Sequence, residues 1–227
     1  MKTLPMFCRP EAYELFASHA RTLGEPDSLL LAAIAVSLHA LDDVDPQHVV
    51  DRINAMADEV RRRARSRSPQ ARVAHLHDVF FDEEGFHGNS LDYYSPLNSY
   101  VPVVLAAKAG LPITLSLLYK AVAERVGLRV EGVNAPGHFL ARIYVGNDVM
   151  LIDPFHRGQV LTPIEVLERI AATFHQPLCS DMSLLATATP VAWLGRMLGN
   201  LRGVFASCGC RSDLAAMDEL IAILPRA

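Results

Sequence analysis

The stretch from Gly110 to Asp153 limits what this chain can fold into more than any other. It sets one helix ahead of three β-rich runs. Gly110-Leu111-Pro112 marks the helix start, because proline is pre-set for the first helical position and its missing N–H costs nothing there. Leu115, Leu118, Val122 and Val126 then recur at helical spacing, which gives the helix an apolar stripe. Gly127 ends it, since glycine takes the left-handed C-terminal conformation without a Cβ clash. The runs Leu128–Asn134, His138–Val145 and Val149–Asp153 read as strands, and Gly146-Asn147-Asp148 joins the last two into a hairpin. Antiparallel pairing through that turn predicts that His138 and Asp153 meet, although they lie 15 positions apart (153 − 138).

An imidazole held by a carboxylate has a fixed tautomer and raised basicity, which is the base–orienter half of a catalytic triad. The missing half is a nucleophile at a helix N-terminus, where the dipole favours a thiolate. The order helix start, His, Asp is present, but no cysteine lies between Cys8 and Cys179.

Five motifs surround this arrangement: GFHGN (85–89), NSY (98–100), GLPITLSLLY (110–119), PGHF (136–139) and IDPF (152–155). Together they resemble the bacterial SirB-type branch of the transglutaminase-like (papain-like) superfamily, over about residues 28–225. The resemblance implies an α+β fold: a helical N-terminal part, a core of helices packed on a small antiparallel sheet, and a C-terminal helical hairpin. It assigns His138 and Asp153 to the family's base and orienter. In catalytic relatives a Gly-x-Cys precedes the helix, and here Pro112 stands in the cysteine slot. The implied function is therefore that of a pseudoenzyme, a protein- or ligand-binding module whose partner is another protein or a small anionic ligand. Asn89, Asn98, Pro112, Ile113, Thr114 and His138 form the candidate pocket. The alternative is a hydrolase or acyl-transfer enzyme that uses Thr114 or Ser116 as nucleophile with His138 and Asp153.

Elsewhere the chain is ordinary. Apolar residues make up 51% of 227, which excludes a disordered chain, and a net charge of −4 gives no reason to expect a polyanion partner. The N-terminus lacks the apolar core of a signal peptide, and Leu29–Leu38 is short for a membrane span that needs ~20 residues. A cytoplasmic protein is expected, bound neither to membrane nor to nucleic acid, with free thiols at Cys8, Cys179, Cys208 and Cys210. Asp27 or Ser28 caps a buried helix that ends near Asp42-Asp43, and Asp45-Pro46 starts an amphipathic one. The latter closes on Arg61, Arg62, Arg63, Arg65 and Arg67, where cations suit the helix dipole and no aromatic residues interleave to stack bases. His75 and His77 stand two apart on different helix faces and would chelate poorly. Neither a metal nor a cofactor is expected.

Residues 82–99 read as a loop in which Phe86, Tyr93 and Tyr94 pin to the core and Asn89 and Asn98 fix the backbone. Asn98 or Ser99 caps the next helix. Thr162-Pro163-Ile164-Glu165 is a capping box, residues 175–188 are irregular, and two antiparallel helices follow from Thr189-Pro190. These last two resemble a tetratricopeptide-type hairpin, too short to stand alone. The division is 1–81 helical, 82–175 core and 176–227 hairpin packed on the core.

Overall fold

The computed structural model describes residues 4–66, 68–175, 177 and 180–225. Arg67 and Cys179 lie outside the described residues. Four helices open the chain: α1 (Pro10–Ala20), α2 (Ser28–Leu38), α3 (Pro46–Arg63) and α4 (Pro69–His77). A wide π turn, Asp78–Glu83, extends α4. The short strands β1 (His87–Gly88) and β2 (Ala109–Gly110) pair in parallel around α5 (Val101–Ala107). Then come α6 (Pro112–Arg125), β3 (Arg129–Val133), β4 (Leu140–Val145), β5 (Asp148–Asp153) and β6 (Gln159–Leu161). The chain closes with α7 (Pro163–Phe174), β7 (Thr187–Ala188), α8 (Pro190–Cys208) and α9 (Arg211–Ile223). Proline occupies the first position of α1, α3, α4, α6, α7 and α8, so the same entry device repeats along the chain.

The five-stranded sheet runs β6-β5-β4-β3-β7 and is antiparallel throughout. Val145 pairs with Asp148, so the β4–β5 loop is Gly146-Asn147, one residue tighter than the predicted turn; Gly146 has φ +66°, which suits such a loop. Alternation divides the two faces. Val130, Ala141, Ile143 and Ile152 join the main core, while Val133, Leu140, Leu151 and Leu161 join a smaller cluster under α7 with Val166 and Leu167. The main core is continuous from Cys8 in the N-terminal segment to Leu220 in α9. The α+β architecture is thus that of helices packed around a small antiparallel sheet with two helices at the end.

Several local expectations are corrected. Helix α2 ends at Leu38 instead of near Asp42, and Asp27 precedes it with φ 59° and no capping bond; its carboxylate instead pairs with Arg125 at 2.8 Å. Neither Asn98 nor Ser99 caps α5, because a 3₁₀ turn, Pro96–Ser99, intervenes and Tyr100 takes that position. Phe86 is fully buried, but Tyr94 is 81% exposed and Tyr93 is half-buried. The irregular stretch before α8 contains a 3₁₀ turn, Met182–Leu185, and donates β7 to the sheet edge. The arginines closing α3 are paired on the surface: Arg61 with Asp58 at 2.5 Å, Arg62 with Glu59, and Arg63 with Glu59 and Glu83.

Candidate functional site

Asp153 ends β5 and begins a 3₁₀ turn, Pro154–His156. Its side chain is completely buried. Oδ1 accepts from the backbone N–H groups of Phe155 at 3.1 Å and His156 at 3.3 Å, as a capping aspartate does. Oδ2 meets three more groups: His138 Nε2 at 2.9 Å, His156 Nδ1 at 2.8 Å and Arg169 Nη1 at 3.2 Å. Burial, the largest influence on this carboxyl, works to raise its pKa. The bonds and charges of His138 and His156 outweigh it and hold Asp153 below the ordinary carboxylate range. The acid is therefore a fixed anion that orients both imidazoles.

His138 sits between the Pro136-Gly137 turn, where Gly137 has φ +71°, and the start of β4. It is one-quarter exposed, and its ring meets Phe155 edge-on at 6.1 Å and His156 at 6.0 Å. His138, Asp153 and His156 each offer one ligand atom, all within 4.8 Å of one another. That set has the composition of a two-histidine, one-carboxylate metal site. Arg169 also reaches that Asp153 oxygen at 3.2 Å, so a divalent ion held by this set would face a guanidinium charge close by.

The other candidate residues do not line the cavity beside His138. Pro112, Ile113 and Thr114 are buried at the start of α6. Thr114 Oγ1 and Ser116 Oγ are buried and have no hydrogen-bond partner, so neither hydroxyl engages His138. Asn89 and Asn98 bond each other at 2.9 Å, and Asn98 Nδ2 donates to the carbonyls of Asp92 at 2.6 Å and Tyr93 at 3.2 Å. They brace the loop, as the amide side chains suggested. The cavity at His138, of about 380 Å³, is walled by β-sheet residues and α7; among the candidate pocket residues it includes His138 alone. His156 and Arg169 are the members that sequence reasoning missed. His156 had a local signal, since Asp-Pro-x-His places an imidazole three residues past a capping aspartate. Arg169 had none, because only the packing of α7 brings it to the site.

The thiols stand apart. Cys8 is buried, and desolvation with Glu219 and Glu11 nearby pushes it up to about 12. Burial and two neighbouring acids make it a poor nucleophile. Cys208 and Cys210 lie at the α8–α9 turn, and Cys210 is likewise raised, first by its contact with Cys208.

A helix leading into a sheet whose strand ends hold a paired His and Asp is the arrangement of a transglutaminase-like core. Comparison with known families agrees. Residues 47–199 match the transglutaminase-like superfamily model, and the chain belongs to that superfamily. A UPF0162 protein of Xylella fastidiosa (strain 9a5c) is 33% identical over 159 residues, covering 68% of this chain and 56% of the relative. A UPF0162 protein of Pseudomonas aeruginosa is 26% identical over 197 residues, covering 86% of this chain and 70% of the relative. The F-box only protein 21 of Mus musculus is 42% identical over 92 residues, 37% of this chain and 15% of that protein. The chain thus spans 56% of the length of the Xylella relative. No solved structure gives a significant match. Among the described residues, no helix is long and apolar enough to cross a membrane.

Proposed function

We propose that this chain is a non-catalytic transglutaminase-like module of the SirB-type branch, which binds a small anionic ligand or a protein partner at the His138–Asp153 site. The observation that carries the reading is the missing nucleophile. Pro112 occupies the helix start where catalytic relatives carry a thiol, and the nearest hydroxyls, Thr114 and Ser116, are buried without a bond to any base. A Thr114- or Ser116-dependent hydrolase would need the hydroxyl within about 2.6–3.2 Å of the imidazole. The oriented base is retained, and a binding site has use for it as a hydrogen-bonding group. The module is read as cytoplasmic, without nucleic-acid or membrane partners. Its tetratricopeptide-like hairpin, α8–α9, serves to complete the core.

The test is turnover. The purified protein is incubated with chromogenic esters and peptide anilides across neutral pH, beside His138→Ala and Thr114→Ala. No hydrolysis above the buffer rate is expected in any of them. Hydrolysis by the wild type that disappears in His138→Ala would show an enzyme instead.

A further inference from the structure

Resting on the reading of this site as a binding pocket, we infer that the cavity under α7 takes a small carboxylic acid with an aliphatic body. Its carboxylate is held by Arg169, beside His138 and His156, and its chain lies against Leu161, Val166 and Ile170.

The first argument is size and place. The cavity, about 380 Å³, lies between α7 and the sheet face that carries Leu140 and Leu161. It falls at the lower end of the range of small-molecule sites, roughly 300–1,000 Å³. Its walls belong to the smaller apolar cluster, apart from the main core, so a ligand would extend that cluster.

The second is charge. Three side chains that carry or can take up positive charge line the cavity: Arg169, His138 and His156. Among the described residues, no carboxylate lines it. Asp153 stands behind all three, fully buried, and fixes them by contacts to one oxygen. The permanent charge of Arg169 thus suits the lining to an anion.

The third is preorganisation. Arg169 Nη1 is tied to Asp153 at 3.2 Å and Nη2 to Gln159 Oε1 at 2.8 Å. A guanidinium has five N–H donors, so donors remain after those two contacts, on a fork already held in place. Its side chain is 39% exposed, so a ligand can reach it. One permanent cation beside an apolar wall matches a monoanion with a hydrocarbon body.

The experiment is calorimetry on the full chain with octanoate, octanol and octylamine. Octanoate is expected to bind, with octanol and octylamine about tenfold or more weaker, as the loss of a charge-assisted contact implies. Arg169→Met is expected to weaken octanoate by about tenfold or more without changing octanol, and Ile170→Trp to abolish binding by filling the cavity. The wild-type comparison of octanoate with octanol needs no variant, so a poorly folded mutant does not decide the outcome. Absence of octanoate binding, equal binding of octanoate and octanol, or undiminished binding by a folded Arg169→Met would overturn the assignment. A short aliphatic peptide with a free C-terminus that binds more tightly than octanoate would overturn it in favour of chain termini. Failure here leaves turnover absent, whereas failure of the module reading shows as turnover.

Discussion

His138 Nε2 lies 2.9 Å from Asp153 Oδ2, and His156 Nδ1 meets the same oxygen at 2.8 Å. One buried carboxylate therefore orients two imidazoles, and the second of them is absent from a simple triad scheme. With Arg169 as a third partner, Asp153 ties the end of β5 to the β4 entry and to α7. The site is a structural joint as well as a polar cluster.

Asp153→Asn should lower stability by about 2–4 kcal/mol at neutral pH, because charge-assisted bonds are lost in a buried place. The pH dependence has a definite sign. The folded-state carboxyl lies below its ordinary value of about 3.9. Its contribution is complete above that value and is lost as pH falls through the folded-state value. Urea titrations from neutral pH down to the acid limb should show a shallower acid loss in the variant than in the wild type. Identical acid limbs would mean that Asp153 is not the carboxylate responsible.

Thr114→Val and Ser116→Ala should be neutral or stabilising, by on the order of 1 kcal/mol, since each removes a buried hydroxyl without a partner. A clear loss of stability in either would reveal a hydrogen bond that the geometry does not contain.

The central helix, the hairpin and the His138–Asp153 pair were legible because each is written locally. Proline and glycine bracket α6, a two-residue glycine turn sets the β4–β5 register, and register brings the two strand ends together. The capping box at Thr162 and Glu165 was legible for the same reason, and both of its bonds are present. What was missed depends on tertiary packing. Helix α1 follows directly on an N-terminal segment anchored by Glu219, whose carboxylate accepts from the N–H groups of Met6, Phe7 and Cys8, a pairing across more than 200 positions. Strand β7 is two residues long and has no periodicity to read. Tyr94 was expected inside because it is aromatic, but its loop is fixed by Asn89 and Asn98 instead, which leaves the ring free to face water.

His77 makes a second pH-dependent contribution, away from the site. Its Nε2 lies 2.9 Å from the hydroxyl of Tyr119, a fully buried residue, and burial lowers the imidazole pKa. A depressed histidine is protonated more readily in the unfolded chain. Stability should therefore fall as pH drops below about 6.5, with a slope of at most about 1.4 kcal/mol per pH unit. His77→Gln should remove this dependence, as measured by urea midpoints between neutral pH and the onset of the Asp153 limb. Retention of the slope in that variant would assign it to another histidine.

The strongest test of how α8 is seated on the sheet is a pair of glycine substitutions with opposite signs. Gly132, in β3, lies under two buried rings: an added Cβ would stand 2.4 Å from Trp193 Cζ3 and 2.7 Å from Phe139 Cζ. Neither ring has room to retreat. Trp193 and Phe139 are both almost fully buried, their centroids are 4.6 Å apart, and the indole N–H donates to the Ile113 carbonyl at 3.3 Å. Gly132→Ala should therefore cost about 1–3 kcal/mol through overpacking. It should also disturb α6 and α8 together, since the indole joins them. Gly199 lies within α8 itself, exposed, with nothing within 4 Å of an added Cβ. There alanine should stabilise by about 0.5–1 kcal/mol, because it restricts the unfolded chain and suits the helix. Urea unfolding of the two variants beside the wild type checks both signs at once. A tolerated Gly132→Ala would mean that Trp193 does not press on the sheet, and a destabilising Gly199→Ala would mean that this face of α8 is covered.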